Sequence, residues 1–217
     1  MEPSVSLQSH IFNDLASNTY RDINFYNPLN ITHPFPASQI LDPTSLSPTG
    51  DNLTSGINLI LSQDCSGFNL GSFFVRRSVF ADRLLDIWWD PVAYEQTHMD
   101  WEHKEQDALE HLYTTQPWVR SGTAFIEQRK INSFPPGACA HVKADGRFVT
   151  DTRIHYHEKD RDFIVNMAGC EWGRNCWGEM YQYRELSSKL NRTWRERFQD
   201  ATSAMWKGLM AKKEKKA

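Results

Sequence analysis

The sequence predicts an α/β fold, and three observations carry that reading. Short apolar runs bounded by turn residues alternate with longer stretches whose apolar side chains recur every three or four positions, the pattern of strands layered on helices. Eight Trp and twelve Phe supply large side chains for burial, although the hydrophobic share is only 40%. No run approaches the roughly eighteen apolar residues of a membrane helix, and no charged start followed by an apolar stretch marks a secretion leader. At 217 residues the chain suits one large domain or two small ones.

Leu7, Ile11 and Leu15 stand at fourfold spacing and predict a short helix over 6–16. Residues 27–56 hold five of the ten prolines (Pro28, Pro34, Pro36, Pro43 and Pro48) among Ser, Thr, Asn and Gly, which predicts a long irregular loop. The stretches 57–61 and 72–76 read as strands separated by the turn-rich run Gln63-Asp64-Cys65-Ser66-Gly67. Ser78 makes a good N-cap for a helix over 79–89, where Phe80, Leu84, Ile87 and Trp88 share one face. A second helix is expected over 101–113, burying Ala108, Leu109 and Leu112. Residues 125–127 and 163–165 read as short buried strands, with Pro135-Pro136-Gly137 marking a loop between them. From Trp177 onward, Met180, Tyr181, Leu186, Leu190, Trp194 and Phe198 predict one long amphipathic helix or a broken pair.

The formal charge of −3 creates no global field for nucleic acid, so that partner class is excluded. The charge is uneven. Residues 1–60 carry a single basic residue, Arg21, whereas 189–217 hold nine basic and three acidic ones and read as a solvated, frayed tail. Four cysteines permit three connectivities if all are paired. Cys170 and Cys176 flank a turn-forming stretch that suits a disulfide; the rival is a zinc site that adds His155 and His157. Sequons at Asn30, Asn52 and Asn191 lean towards a secretory lumen.

Chemistry is concentrated in a few polar segments. The run from Gln63 to Gly71 places Asp64, Ser66 and Asn69 among Gly67 and Gly71 between two strands. Asp and Asn there can hydrogen-bond sugar hydroxyls or their own turn, and glycine lets a ligand approach the backbone. Glu102, Glu105, Gln106 and Asp107 open a helix, where acids complement its dipole; a carboxylate beside an amide also suits a developing positive charge. The strand-like 163–165 leads through Asn166 into small residues ending at Gly169, where backbone amides suit a phosphate. Trp172, Trp177, Tyr181 and Tyr183 are expected mainly in core packing, with stacking on sugars as the alternative.

Four of these segments occur together and in order: Asp64 to Phe73, Glu105 to Leu109, Gln128 to Phe134, and Phe163 to Cys170. In this combination the chain resembles the fungal α-1,2-galactosyltransferase and α-1,6-mannosyltransferase family, glycosyltransferase family 34, over about residues 1–198. The resemblance implies the C-terminal portion of a GT-A type (Rossmann-like) domain over 1–198, followed by a basic tail over 199–217. It implies a retaining hexosyltransferase that moves galactose or mannose from UDP-galactose or GDP-mannose to a glycan acceptor. Manganese, the lumenal face of the Golgi membrane and a Golgi transferase complex belong to the same expectation. By the resemblance, Glu105 and Gln106 line the reaction centre, Asp64, Ser66, Gly67, Asn69 and Gly71 contact donor or acceptor, and Gly169 lies near the phosphates. Asn166 takes the third metal position, where many relatives have His. The family's Asp-x-Asp motif and membrane anchor are expected upstream of Met1, which leaves a catalytically inactive member or a non-catalytic subunit as the alternative.

Overall fold

The computed structural model describes residues 6–21, 23, 54–65, 67–93, 96, 103–139, 144–145, 150–160 and 162–214. Among them a mixed four-stranded sheet runs in the order β1 (Thr19–Tyr20), β4 (Thr123–Ile126), β2 (Leu59–Asp64) and β3 (Gly67–Val75). β4 lies antiparallel to β1 and parallel to β2, and β2 turns back into β3 as an antiparallel hairpin whose register shifts between Ile60 and Ser62. The first hairpin strand, expected over 57–61, runs from Leu59 to Asp64 and takes in Gln63 and Asp64 of the expected turn, and β3 begins at Gly67 rather than at Ser72. Among its early residues the polar Asn69 is still buried, because Asp64 satisfies its side-chain amide.

The pleat explains the core. Leu59 and Leu61 point with Phe125 to one face, while Ile60 points with Ala124 and Ile126 to the other. Helices cover the first face: Leu84 from α2 (Val79–Trp88), Leu109 and Tyr113 from α4 (Lys104–Thr115), and Val119 from α5 (Pro117–Gly122). A three-residue turn, α3 (Pro91–Ala93), follows α2. Phe125 stands at the middle of an aromatic group, its centroid 5.5 Å from Phe68, 5.6 Å from Tyr113 and 5.8 Å from Tyr20. Each such pair adds about 0.5–1.5 kcal/mol beyond area burial. The second face is closed by Ile11 and by Ile131 of α6 (Gln128–Ile131).

Local signals account for most helix ends. Ser78 caps α2 by accepting the Ala81 N–H. Pro117 opens α5, where its missing N–H costs no bond. The expected helix over 6–16 is split into a π-helical turn at Gln8–Phe12 and a short α1 (Leu15–Asn18), because Asp14 leaves helical geometry between them. Residues 163–165 do not form a strand. Val165 makes one isolated parallel bridge to Ser133, and Phe134 makes another to His155, so the backbones cross here rather than run along one another. Arg129 fastens this region: it donates to both carboxylate oxygens of Asp162 at 2.6 and 3.0 Å, to Asp160 at 2.9 Å and to the Thr152 carbonyl.

The chain divides into two compact units, Met1–Arg174 and Asn175–Ala217. The second holds α7 (Cys176–Leu190) and α8 (Trp194–Glu214), the broken pair of the two options. Asn175 caps α7 through the Gly178 N–H. A capping box starts α8, with Thr193 Oγ1 accepting from Glu196 N and Glu196 accepting from Thr193 N. Residues 199–214, expected from their charge to be a frayed tail, continue this helix. Trp172, Trp177 and Tyr181, expected in a core, are exposed. The loop expected over 27–56 lies outside the described residues, apart from the 3-10 turn Thr54–Gly56.

Candidate functional site

The turn between β2 and β3 builds the polar heart of the first unit. Asp64 ends β2, buried, and its Oδ2 accepts the side-chain amide of Asn69 at 2.7 Å. The Asn69 Oδ1 in turn accepts the Gly71 N–H at 2.8 Å and the Asn166 amide at 3.3 Å. Asn166 reaches this point because its backbone is held to Ser133. The fit requires glycine: a Cβ on Gly71 would stand 2.0 Å from Asn166 Nδ2. Asp64, Asn69, Gly71 and Asn166 therefore form one hydrogen-bonded cluster, although 95 positions separate Gly71 from Asn166 in the chain. Ser66 lies outside the described residues.

Two further contacts fix this turn from outside. Cys65 is disulfide-bonded to Cys139, tying the turn to the segment after Pro135-Pro136-Gly137. Asn132, fully buried, donates to the Ser62 hydroxyl and the Ser72 carbonyl at 2.9 Å each, and the Ser72 hydroxyl donates to the Ile131 carbonyl. Sequence reasoning singled out neither Cys65–Cys139 nor Asn132. The first had no signal in spacing, while the second was visible only as part of a polar run after a strand.

Glu105 and Gln106 occupy the first turn of α4. Gln106 is half-buried and Glu105 is exposed. The Glu105 side chain borders a pocket of about 640 Å³ whose walls are Leu70 and Phe73 of β3, Leu85, Trp88 and Trp89, with Asp90 and Lys104 adding charge. The Trp88 ring is held by its N–H donating to the Glu105 carbonyl at 2.9 Å and by a tilted contact with Phe73. Trp89 is 87% exposed. The adjacent Trp pair at the end of a helix was the available signal for this pocket; Trp88 alone was read, as part of the apolar helix face.

Glu110 accepts the Phe68 N–H beneath the turn at 2.6 Å. Burial pushes its carboxyl up to about 7; the Phe68 bond opposes that rise, the neighbouring Asp107 and Asp64 charges add to it, and His103 offsets them in part.

The structure bears directly on metal ligation. Cys65, Cys139, Cys170 and Cys176 are all disulfide-bonded, so no thiolate is offered and the zinc alternative falls. His155 is spent as well: its Nδ1 accepts the Asp151 N–H and its Nε2 donates to the Ala138 carbonyl. His157 pairs with Asp160 instead. Asn166 offers a poor ligand, since its oxygen already accepts the Ala168 N–H. An Asp-x-Asp sequence does occur at Asp160-Arg161-Asp162, passed over in the reading above, but both carboxylates are engaged by Arg129. The described residues thus do not assemble a manganese site.

Gly169 takes a left-handed φ of 67° in the turn after Asn166, with nothing within 4 Å of where a side chain would stand. Of the sequon residues, Asn30 and Asn52 lie outside the described residues, while Asn191 ends α7 with its amide donating to the Ser187 carbonyl. No described helix is long and apolar enough to cross a membrane.

Comparison with known proteins matches the chain to a family described as the galactosyl transferase GMA12/MNN10 family over residues 1–177. A probable alpha-1,6-mannosyltransferase, MNN10, of Saccharomyces cerevisiae is 48% identical over 198 residues, covering 91% of this chain and 46% of that protein. An uncharacterized alpha-1,2-galactosyltransferase of Schizosaccharomyces pombe is 43% identical over 199 residues, covering 90% of this chain and 51% of its own length. The chain therefore spans about half the length of these curated relatives. No solved structure matches it.

Proposed function

The chain belongs to the galactosyl transferase GMA12/MNN10 family, and from that premise we propose that the protein transfers a hexose, galactose or mannose, from UDP-galactose or GDP-mannose to a glycan acceptor with retention. The observation that supports this best is the joining of distant residues, Asp64, Asn69 and Gly71 with Asn166, into one hydrogen-bonded polar cluster beside the pocket wall that Leu70 shares with Glu105.

In this reading the pocket takes the acceptor. A pyranose has an apolar C–H face that stacks on Trp88 and Trp89, while its hydroxyls address Glu105, Asp90 and Lys104. Glu105 and Gln106 stand where positive charge develops at the anomeric carbon, which a carboxylate and an amide oxygen stabilise. Asp64 and Asn69, locked to each other, present fixed polar atoms to a sugar. Gly169, with open space where a Cβ would stand, leaves its backbone free for close approach of the diphosphate, and Ser66, Gly67 and Gly71 are assigned to contact with donor or acceptor.

A GT-A type domain is consistent with the mixed sheet between helices. The lumenal face of the Golgi membrane, with glycans on Asn30, Asn52 and Asn191, suits a chain whose cysteines are all oxidised. Manganese and a Golgi transferase complex belong to the same reading on family grounds. A second reading, a non-catalytic subunit of a mannosyltransferase complex, is supported by Asn166, whose side-chain oxygen is already taken by the Ala168 N–H.

The test incubates the purified protein with each donor, an α-mannoside acceptor and manganese, and measures hexose transfer and nucleotide release. Transfer from one donor, reduced about a hundredfold by Glu105→Gln, supports the enzyme. Acceptor binding without transfer from either donor supports the subunit.

A further inference from the structure

One carboxylate without a place in that chemistry joins two parts of the site. Glu110 follows Gln106 by four positions on α4 and so lies on the same side of the helix. Its Oε1 accepts the Phe68 N–H at 2.6 Å, immediately after the turn that carries Asp64. The preceding residue, Gly67, adopts a φ of 120° that side-chain-bearing residues avoid, and a Cβ there would stand 2.3 Å from the same Oε1. The glycine thus makes the turn and admits the carboxylate at once.

We infer that Glu110 is a positioning residue for transfer: its carboxylate clamps the β2–β3 turn, and with it Asp64 and Asn69, in register with the helix that carries Glu105 and Gln106. This rests on the reading of those residues as parts of one transfer site. A charged acceptor holds an amide more strongly than a neutral acid does. The groups facing Glu110 are Asp107 and His103 from the start of α4 and Asp64 from β2, and their balance, with burial, sets its proton loss close to neutrality. The clamp is therefore tight in the ionised form and looser once protonated.

Glu110→Gln keeps an oxygen for Phe68 but cannot ionise. Heteronuclear NMR of the ligand-free protein reads the Phe68 amide directly, and steady-state transfer from UDP-galactose and from GDP-mannose reads its consequence. In the wild type the Phe68 amide shift should titrate with a midpoint near 7, and kcat should fall about five- to tenfold between about pH 8 and 6. In Glu110→Gln the amide shift should be flat across that range, and the corresponding limb of the rate profile should vanish. A Phe68 amide that does not titrate, or titrates equally in the variant, overturns the clamp. A titrating amide with the same rate profile in both proteins overturns the positioning role while leaving the transfer reading intact. Absence of transfer by the wild type at every pH sinks the transfer reading, and this role with it, even where the amide titrates.

Discussion

Glu110→Gln also has a consequence for stability whose sign follows from burial. In the unfolded chain this carboxyl ionises near 4.5, and in the folded protein near 7. Below about pH 4.5 it is protonated in both states and contributes no difference. As pH rises towards 7 the folded form retains a proton that the unfolded form has shed, so folding loses up to about 1.4 kcal/mol per pH unit. The whole interval amounts to at most about 3.5 kcal/mol, and residual solvent access to the half-buried side chain reduces this to roughly 1–2 kcal/mol. The variant carries no ionisable group here and keeps the oxygen that Phe68 needs. Urea unfolding followed by tryptophan fluorescence across a pH series should give equal stabilities at the acid end. At about pH 8 the variant should be ahead by roughly 1–2 kcal/mol. A difference independent of pH, or a variant that grows weaker than wild type as pH rises, refutes the reasoning.

Other substitutions probe the same frame. Gly71→Ala drives a Cβ to within 2.0 Å of Asn166 Nδ2 and should cost about 1–3 kcal/mol, read as a lower melting temperature with weaker transfer. Replacing Cys65 and Cys139 together by Ser opens a cross-link spanning 74 positions and should lower the urea unfolding free energy by about 4 kcal/mol. Trp89→Ala removes a ring that is 87% exposed, so stability should change by less than about 0.5 kcal/mol while the acceptor KM rises about tenfold. Arg129→Met strands the Asp162 carboxylate, whose side chain is 6% exposed, and calorimetry should show a loss of about 3 kcal/mol.

The sheet's centre was legible because β2 and β4 are short apolar runs whose alternate residues face two separate cores, a pattern that needs no partner to be seen. What the sequence hid was tertiary. Asn69 looks like turn chemistry until Asp64 satisfies it inside a strand. Phe163, Ile164 and Val165 look like a strand, but Ser133 offers only a single crossing. The Cys65–Cys139 bond depends on a Cα separation of 5.9 Å that no spacing encodes. Other features were written locally and overlooked. The Thr193 to Glu196 box announces α8 despite the charge around it, and Pro117 to Gly122 has the opening and closing residues of a short helix. For the site, the motifs in chain order contain the residues that the fold joins, Asp64, Asn69, Gly71 and Asn166, but Glu110 stood unnoticed because a helix acid becomes unusual only when a backbone amide is buried against it.

The strand order has a consequence for biosynthesis. β4 lies between β1 and β2, yet it is translated after both. Until Ile126 has left the ribosome, the hairpin lacks β4 along its edge at Leu59 and Leu61, and Thr19–Tyr20 lacks the strand it pairs with in the finished sheet. A nascent chain in that condition is a natural client for holding chaperones, and arrest of synthesis just before Thr123 should trap it there, whereas release beyond Ile126 lets the sheet close.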